Sequence, residues 1–420
     1  MLLEDFAGYF KLTAETEAFI LKHNFASVYG TLENIPASLQ QDFILQQTGK
    51  LRRAANNTLI LQAAEELKSN RYLLSLYNYL TYYWWHNPDA VIYGHKLPEF
   101  EYAQVTAERA GLYYLLIVLA GFPEIEKSYA KLGLPEHYAL DAFQYTSGAI
   151  DEFAAGHNGA TGLSARKMHW YRFYLNGVLF RLGRLEFMIQ DPLPYLPAAY
   201  QRKSDGKVIA LARHGWKFSD DGLMLFADDS NEKIYKTATI VNDGKFISGI
   251  PINPAGYAEV DRTATLDLTE YTPLWNSWDL VPGIHIPGGG GMTPEAVKDS
   301  LIQALDFFPR YFQRKVAAIS CFSWIFNPDF EQELPDSNLA KFMQQVYLLP
   351  FASVGVEGLQ FVFGRTDKDW RDYPADNTLR KAFHNLRKQG KRLKAGAMFI
   401  EKDGIEAFGS MLYRKNYQSF

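Results

Sequence analysis

The chain has 420 residues, more than one domain usually holds, so two cores are expected. Lys and Arg number 43 against 47 Asp and Glu, and the formal net charge of -4 offers no general attraction to nucleic acid or to an anionic membrane. With 47% apolar and 21% charged residues the composition is that of a soluble globular protein; only the aromatic share, 15% with 26 Tyr and 8 Trp, is high enough to suggest stacking surfaces or a large interdomain contact.

Up to about Phe180 the apolar residues recur at three and four, and proline or glycine marks the connections, so helices are predicted over 57–83, 101–119, 123–131, 135–153 and 164–182. The aromatic cluster Tyr82-Tyr83-Trp84-Trp85-His86-Asn87-Pro88 reads either as a pocket wall or as a helix end docking its rings. The longest apolar run, Gly111 to Phe122, is shorter than the roughly 20 residues of a membrane span and reads as a buried helix. Near Gly183 the period becomes alternating, with strands over 184–190, 208–212, 223–226, 236–241, 245–250, 263–268 and 278–287 and turns such as Asp220-Asp221-Gly222. A helix over 293–312, a strand over 316–326, a helix over 338–348 capped by Ser337, a strand over 359–363, a helix over 377–389 and a strand over 395–400 complete the chain. The expected class is α+β: an all-α domain over residues 1–163, then a mixed α/β domain over 164–420 with a largely antiparallel sheet.

The most informative segment is Ile284-His285-Ile286-Pro287-Gly288-Gly289-Gly290-Gly291-Met292-Thr293-Pro294-Glu295, a strand that breaks into glycines and opens a helix. Pro287 ends a ladder by removing a donor, Thr293 supplies an N-cap and Pro294 a first helical position. Backbone amides from Gly288 to Thr293, with the helix dipole, form a cradle suited to phosphate; a flexible turn is the other reading.

The order of elements matches the GNAT acyltransferase fold, in which one strand feeds the phosphate loop and the next splays away to leave a slot for a pantetheine arm. Arg181-Leu182-Gly183-Arg184-Leu185-Glu186-Phe187, His285-Ile286-Pro287 with the glycines, Ser320-Cys321-Phe322-Ser323-Trp324 and Leu334-Pro335-Asp336-Ser337-Asn338 resemble a bacterial acyltransferase-like family. Its members join a helical N-acyltransferase N-terminal domain to a GNAT-like C-terminal domain. The resemblance covers most of the chain and implies transfer of an acyl group from acyl-CoA, as co-substrate, to an unidentified small acceptor. It departs from the superfamily pattern at the loop, which has no Gln or Arg of its own.

Attack on a thioester needs a base, donors for the oxyanion and an acid for the thiolate. His285, three residues before the glycines, is the candidate base, with loop stabilisation as the other reading. Ser323 shares a strand face with Cys321 and is a candidate donor; Cys321 reads as a buried, inert thiol. Tyr347 falls late on a predicted helix where the superfamily often has a tyrosine that protonates the thiolate, and its apolar neighbours equally suit a packing role. Glu186 and Asp279 are further carboxylates on predicted strands. The basic run Arg380, Lys381, Arg387, Lys388, Lys391, Arg392 and Lys394 reads as a solvated face or as a contact for adenosine phosphates; without interleaved aromatics it is no nucleic-acid footprint.

No metal is expected, because Cys321 is the single cysteine and the nine histidines show no pair at zinc-site spacing. Acids in Met1-Leu2-Leu3-Glu4-Asp5-Phe6 stand where a secretory signal carries bases, so a cytoplasmic location is expected, with no membrane partner. The helical half either covers a site or makes a homodimer. Besides the acyltransferase, two other classes fit: a non-catalytic binding protein on a degenerate GNAT fold, and, from the Trp and Tyr content alone, a carbohydrate-handling protein.

Overall fold

The computed structural model describes residues 3–22, 32–53, 55–87, 105–226, 233–288, 291–363 and 369–417. The chain divides into two compact units, one of residues 1–181 with 287–289 and one of 182–286 with 290–420. Among the described residues no helix is long and apolar enough to cross a membrane.

The first unit is helical, with α1 (Leu3–Phe10), α2 (Ala14–Lys22), α3 (Gln41–Thr48), α4 (Asn57–Ser69), α5 (Arg71–Trp85), α6 (Ala107–Lys131), α7 (Glu136–Gly156) and α8 (Met168–Leu175). The helix expected over 57–83 is two. Asn70 takes an extended backbone between them, and its side chain accepts hydrogen bonds from Tyr72 N at 3.0 Å and Leu73 N at 3.2 Å, so an N-cap interrupts a continuous apolar stripe. The two helices expected around residue 120 are one. Pro123 removes a single backbone donor inside α6, while Leu112 to Leu119 are buried and Phe122 stacks on Phe143 with ring centroids 3.8 Å apart. The cluster at the end of α5 docks rather than opening a pocket wall: Tyr83, Trp84 and Trp85 are buried, and Trp85 Nε1 donates to Ile117 O at 2.8 Å. Gly121 permits that approach, since a Cβ there would lie 2.0 Å from the Trp85 ring.

The segment expected as helix over 164–182 ends at Leu175, and β1 (Leu179–Leu182) follows. It opens the largest sheet, which also contains β2 (Leu185–Met188), β8 (Gly283–His285), β9 (Ile319–Ser323), β10 (Tyr347–Pro350) and β11 (Gly396–Ile400) in the spatial order β1-β2-β8-β9-β11-β10. β8 and β9 pair in parallel, whereas β2–β8, β9–β11 and β10–β11 are antiparallel. A second sheet, antiparallel throughout, has β3 (Ala198–Arg202), β4 (Val208–Leu211), β5 (Pro251–Asn253), β6 (Tyr257–Ala258) and β7 (Tyr271–Pro273) in the order β6-β5-β4-β3-β7. Two three-stranded sheets are built around Phe246–Gly249 and Lys217–Phe218. Ile209, Leu211, Ile247, Ala264, Leu266 and Tyr271 form one buried cluster among them. The expected class, helical first and sheet-rich second, is the one observed.

Helices α9 (Pro294–Phe312), α10 (Asn338–Met343), α11 (Leu359–Phe363) and α12 (Thr378–Lys388) complete what the site requires. Two expectations are corrected. The helix predicted over 338–348 stops at Met343, because Tyr347 to Pro350 pair with Phe399 to Gly396 and the Tyr347 ring stacks on Phe399 at 4.8 Å. The strand predicted over 359–363 is α11; a run of five apolar-rich residues does not distinguish the two states.

Replacing Asn70 with Ala removes a cap that serves two amides and also donates to Tyr9 Oη at 2.9 Å. The expected loss is about 1 kcal/mol. It is measured as a lower urea midpoint with an unchanged slope; an unchanged midpoint would show that the cap does not hold the α4–α5 break.

Candidate active site

Strands β8 and β9 stay together only briefly. Ala317 N donates to Leu280 O at 2.9 Å and Ser320 N to Pro282 O at 3.0 Å, and Gly283 opposite Ser320 is their last register pair. Beyond it β8 continues against β2, to His285 opposite Glu186, while β9 continues against β11, to Ser323 opposite Gly396. The two parallel strands therefore part, and the Ile284 carbonyl in the gap accepts the Cys321 thiol at 3.2 Å instead of a backbone amide. Burial pushes that thiol up to about 12, so Cys321 is protonated and inert.

Register assigns side chains to faces. His285, Glu186, Gly283, Ser320 and Phe322 share one face of the sheet, whereas Ile284, Cys321 and Ser323 lie on the other. His285 is half-buried, and loss of solvent lowers its imidazole pKa to about 4. Glu186, its cross-strand partner, is 1% exposed. On the same face the Tyr195 hydroxyl lies 3.0 Å from Ser320 Oγ, which also accepts from Gln190 Nε2 at 3.5 Å. The Tyr195 ring meets Phe322 edge-on at 5.4 Å, and Phe322 stacks on Phe351 at 5.3 Å.

The chain leaves β8 through Pro287 and the exposed Gly288; Gly289 and Gly290 lie outside the described residues. Gly291 has φ +61°, a left-handed conformation that glycine adopts without strain. Met292 is half-buried, and Thr293 is exposed and caps α9, its hydroxyl accepting from Ala296 N at 3.4 Å with Pro294 as the first helical residue. Arg184, in the β1–β2 turn, reaches this loop: its Nε donates to Gly291 O at 2.5 Å, and its backbone N donates to Ser300 Oγ on α9 at 2.8 Å. A guanidinium thus stands where the loop's own sequence has no basic residue. Sequence reading missed it because the contact spans 107 positions.

The sheet order, the parted parallel pair and the loop into α9 lie within a segment, residues 179–399, that matches the family of GNAT-like C-terminal domains. The chain belongs to that family. Solved structures similar to this GNAT-like chain include an acyltransferase in complex with decanoyl-CoA and teicoplanin, at 17% identity and a TM-score of 0.58, covering 96% of this chain and 99% of that one. An acyltransferase mutant in complex with octanoyl-CoA has 17% identity and a TM-score of 0.57 over the same shares. At such identity the likeness is one of fold. No curated protein matches the chain.

Three expected site residues need relocating within this GNAT-like fold. Tyr347 is on a strand, fully buried; its hydroxyl donates to Ile252 O at 2.5 Å and accepts from Ala210 N at 3.3 Å, so it joins the two large sheets and is held away from the β8–β9 gap. Ser323 lies on the face opposite His285 and caps its own turn, accepting from Ile325 N at 3.4 Å. Asp279 is in a turn, accepting from Asn276 N at 2.7 Å. Much of the basic run is also committed: Arg380 to Asp376 at 2.8 Å, Lys391 and Lys394 to Asp329 at 3.1 and 3.0 Å, Arg392 to Ser353 O at 3.1 Å.

The depressed pKa of His285 has a consequence for stability. Between its ordinary value near 6.5 and its folded value of about 4, the unfolded chain binds the proton and the folded chain does not. Stability from this residue is therefore full above pH 6.5 and falls as the pH drops toward 4, by up to roughly 3 kcal/mol. His285→Gln should lack that component. Urea midpoints at pH 7 and pH 4.5 measure it, and an equal acid loss in both proteins would refute the assignment.

Proposed function

We propose that the chain transfers an acyl group from an acyl-CoA to the amine or hydroxyl of a small acceptor. The observation that carries this reading is the end of the β8–β9 ladder at Gly283 and Ser320, directly before a loop that opens a capped helix. A parted parallel pair leaves main-chain groups facing a gap, which an extended amide-containing arm such as pantetheine can enter. The α9 N-terminus favours the anionic end of the same molecule. Arg184 adds a full positive charge beside Gly291 and answers the absence of a basic residue in the loop itself. Complexes of the structural neighbours with decanoyl-CoA and octanoyl-CoA support the choice of co-substrate.

In this reading His285 removes the proton from the attacking amine or hydroxyl. Its low pKa keeps it neutral and able to accept at physiological pH, although burial also makes it a weak base. Glu186, buried and opposite it in the register, sets the wall of the sheet beside the imidazole. Main-chain amides of Gly291, Met292 and Thr293 hold the diphosphate.

Calorimetry with acyl-CoA tests the cradle, and release of free thiol tests turnover. Gly291→Asp keeps a residue that tolerates the left-handed backbone and adds a negative charge in open space; Arg184→Gln removes the guanidinium. Each should weaken acyl-CoA binding by about 10-fold or more with the fold retained. Absence of binding by any acyl-CoA would overturn the reading, and binding without thiol release would make the chain a binding protein rather than an enzyme.

A further inference from the structure

Two cations stand opposite each other at the tip of the β3–β4 hairpin, an arrangement that costs stability unless something offsets it. Gln201 faces Val208 in the register, and the next pair out is Arg202 with Lys207, joined by the bond from Arg202 N to Lys207 O at 2.9 Å. Opposite residues of a ladder share a face of the sheet. Gly206, with φ +71° and its amide donating to Arg202 O at 2.9 Å, is a glycine bulge that keeps this register.

The carboxylate of the turn answers one of the two cations. Asp205 Oδ1 accepts from Arg202 Nε at 2.8 Å and from Lys207 N at 3.1 Å, and Asp205 Oδ2 accepts from a terminal nitrogen of the same guanidinium. Both oxygens are thereby committed to Arg202, one of them to the main chain as well. Lys207 is only 6% exposed. Loss of solvent, and after it the Arg202 charge, lowers the Lys207 pKa, the direction expected of a cation in positive surroundings.

Arg202, Asp205 and Lys207 line a cavity of about 200 Å³, where about 10–15 Å³ accommodates one water, so a polyatomic anion fits. Lys415 and Asn416, exposed at the end of the short helix Leu412–Asn416, also line it. Three cations and one carboxylate in that lining leave an excess of two positive charges. Asp403 approaches Gly206 from outside the lining and accepts from Gln201 Nε2 at 2.9 Å. The donors in the cavity are a guanidinium, two ammonium groups and a side-chain amide, a set that suits an oxyanion approached from several sides.

We propose that this cavity binds a phosphate dianion, held between the β3–β4 hairpin and the helix Leu412–Asn416. The anion balances the excess charge and draws Lys415 toward Lys207, so it fastens that helix to the second sheet. Two sources carry the same chemistry: phosphate free in solution or on a small ester, and the 3′-phosphate of CoA. The site does not rest on the acyl-transfer reading, because inorganic phosphate probes it without a thioester.

The test titrates inorganic phosphate into the full chain by calorimetry at constant ionic strength, which holds general screening fixed. Saturable binding is expected, with a thermal unfolding midpoint that rises with phosphate. Lys207→Gln and Lys415→Gln should each weaken it by about 10-fold. Since Lys207 is buried, the exposed Lys415 supplies the variant that keeps the fold, verified by its unfolding midpoint without phosphate. CoA and 3′-dephospho-CoA then separate the sources. Competition with phosphate by CoA alone assigns the site to the 3′-phosphate, and competition by neither assigns it to free phosphate or a small ester. Competition by both would place the phosphate in the cradle beside Gly291 and overturn the proposal, as would absence of saturable binding or an affinity unchanged in both variants. Failure of CoA to bind at all would bring down the acyl-transfer reading and leave this site standing.

Discussion

The organising constraint is a ladder that stops. Pro282 can accept through its carbonyl but has no N–H to give, and Gly283 presents no side chain, so the β8–β9 pairing is weakly specified where it ends. The strands have better partners elsewhere: β8 gains three register pairs with β2, and β9 gains five with β11. Each strand is held on its outer side, and the gap between them is what remains. The Ile284 carbonyl would be costly to leave unpaired there, and the Cys321 thiol reduces that cost without closing the gap.

Two sources of positive potential meet at the end of β8, and they differ in reach. The α9 dipole amounts to about half a charge and fades within the first turn. It already has Glu295 in that turn to complement it. A guanidinium carries a full charge in a planar array of donors, and the bond from Arg184 Nε to Gly291 O fixes where it stands. The same hairpin is tied to α9 through Ser300, whose hydroxyl accepts from Arg184 N while donating to Ala296 O at 2.9 Å. The loop, the hairpin and the helix are therefore one hydrogen-bonded assembly, and motion of the arginine relative to the helix start would break at least two bonds.

What the sequence makes legible follows from the range of the interactions. Caps act over three residues, and Thr293, Ser337 and Asn377 each accept from the amide three positions on, as a local reading expects. The strand–glycine–helix unit is equally local. Strand and helix exchange places where short apolar runs have no period of their own, as at Tyr347 and Leu359, because tertiary pairing then decides. The partners that complete the site are not local at all: Arg184 meets Gly291 across 107 positions and Tyr195 meets Ser320 across 125. Nothing in the loop sequence signals either one. A fold-level cue was present, since Arg184 follows Gly183 in a hairpin turn preceding the strand that pairs with β8.

The period of two explains why Ser323, the donor expected on β9, lies on the face opposite His285. Four consecutive residues, Ser320, Cys321, Phe322 and Ser323, alternate between two environments with opposite demands. One face takes Cys321, whose raised pKa and backbone partner make it inert, and Ser323, whose hydroxyl is spent on a turn. The other takes Ser320, bonded to two polar side chains, and Phe322, which is 52% exposed at the gap. From sequence alone the two serines are equivalent, and only the register with Gly283 distinguishes them. Once that register is fixed, His285, Glu186, Gln190, Ser320 and Tyr195 come to one side of the sheet.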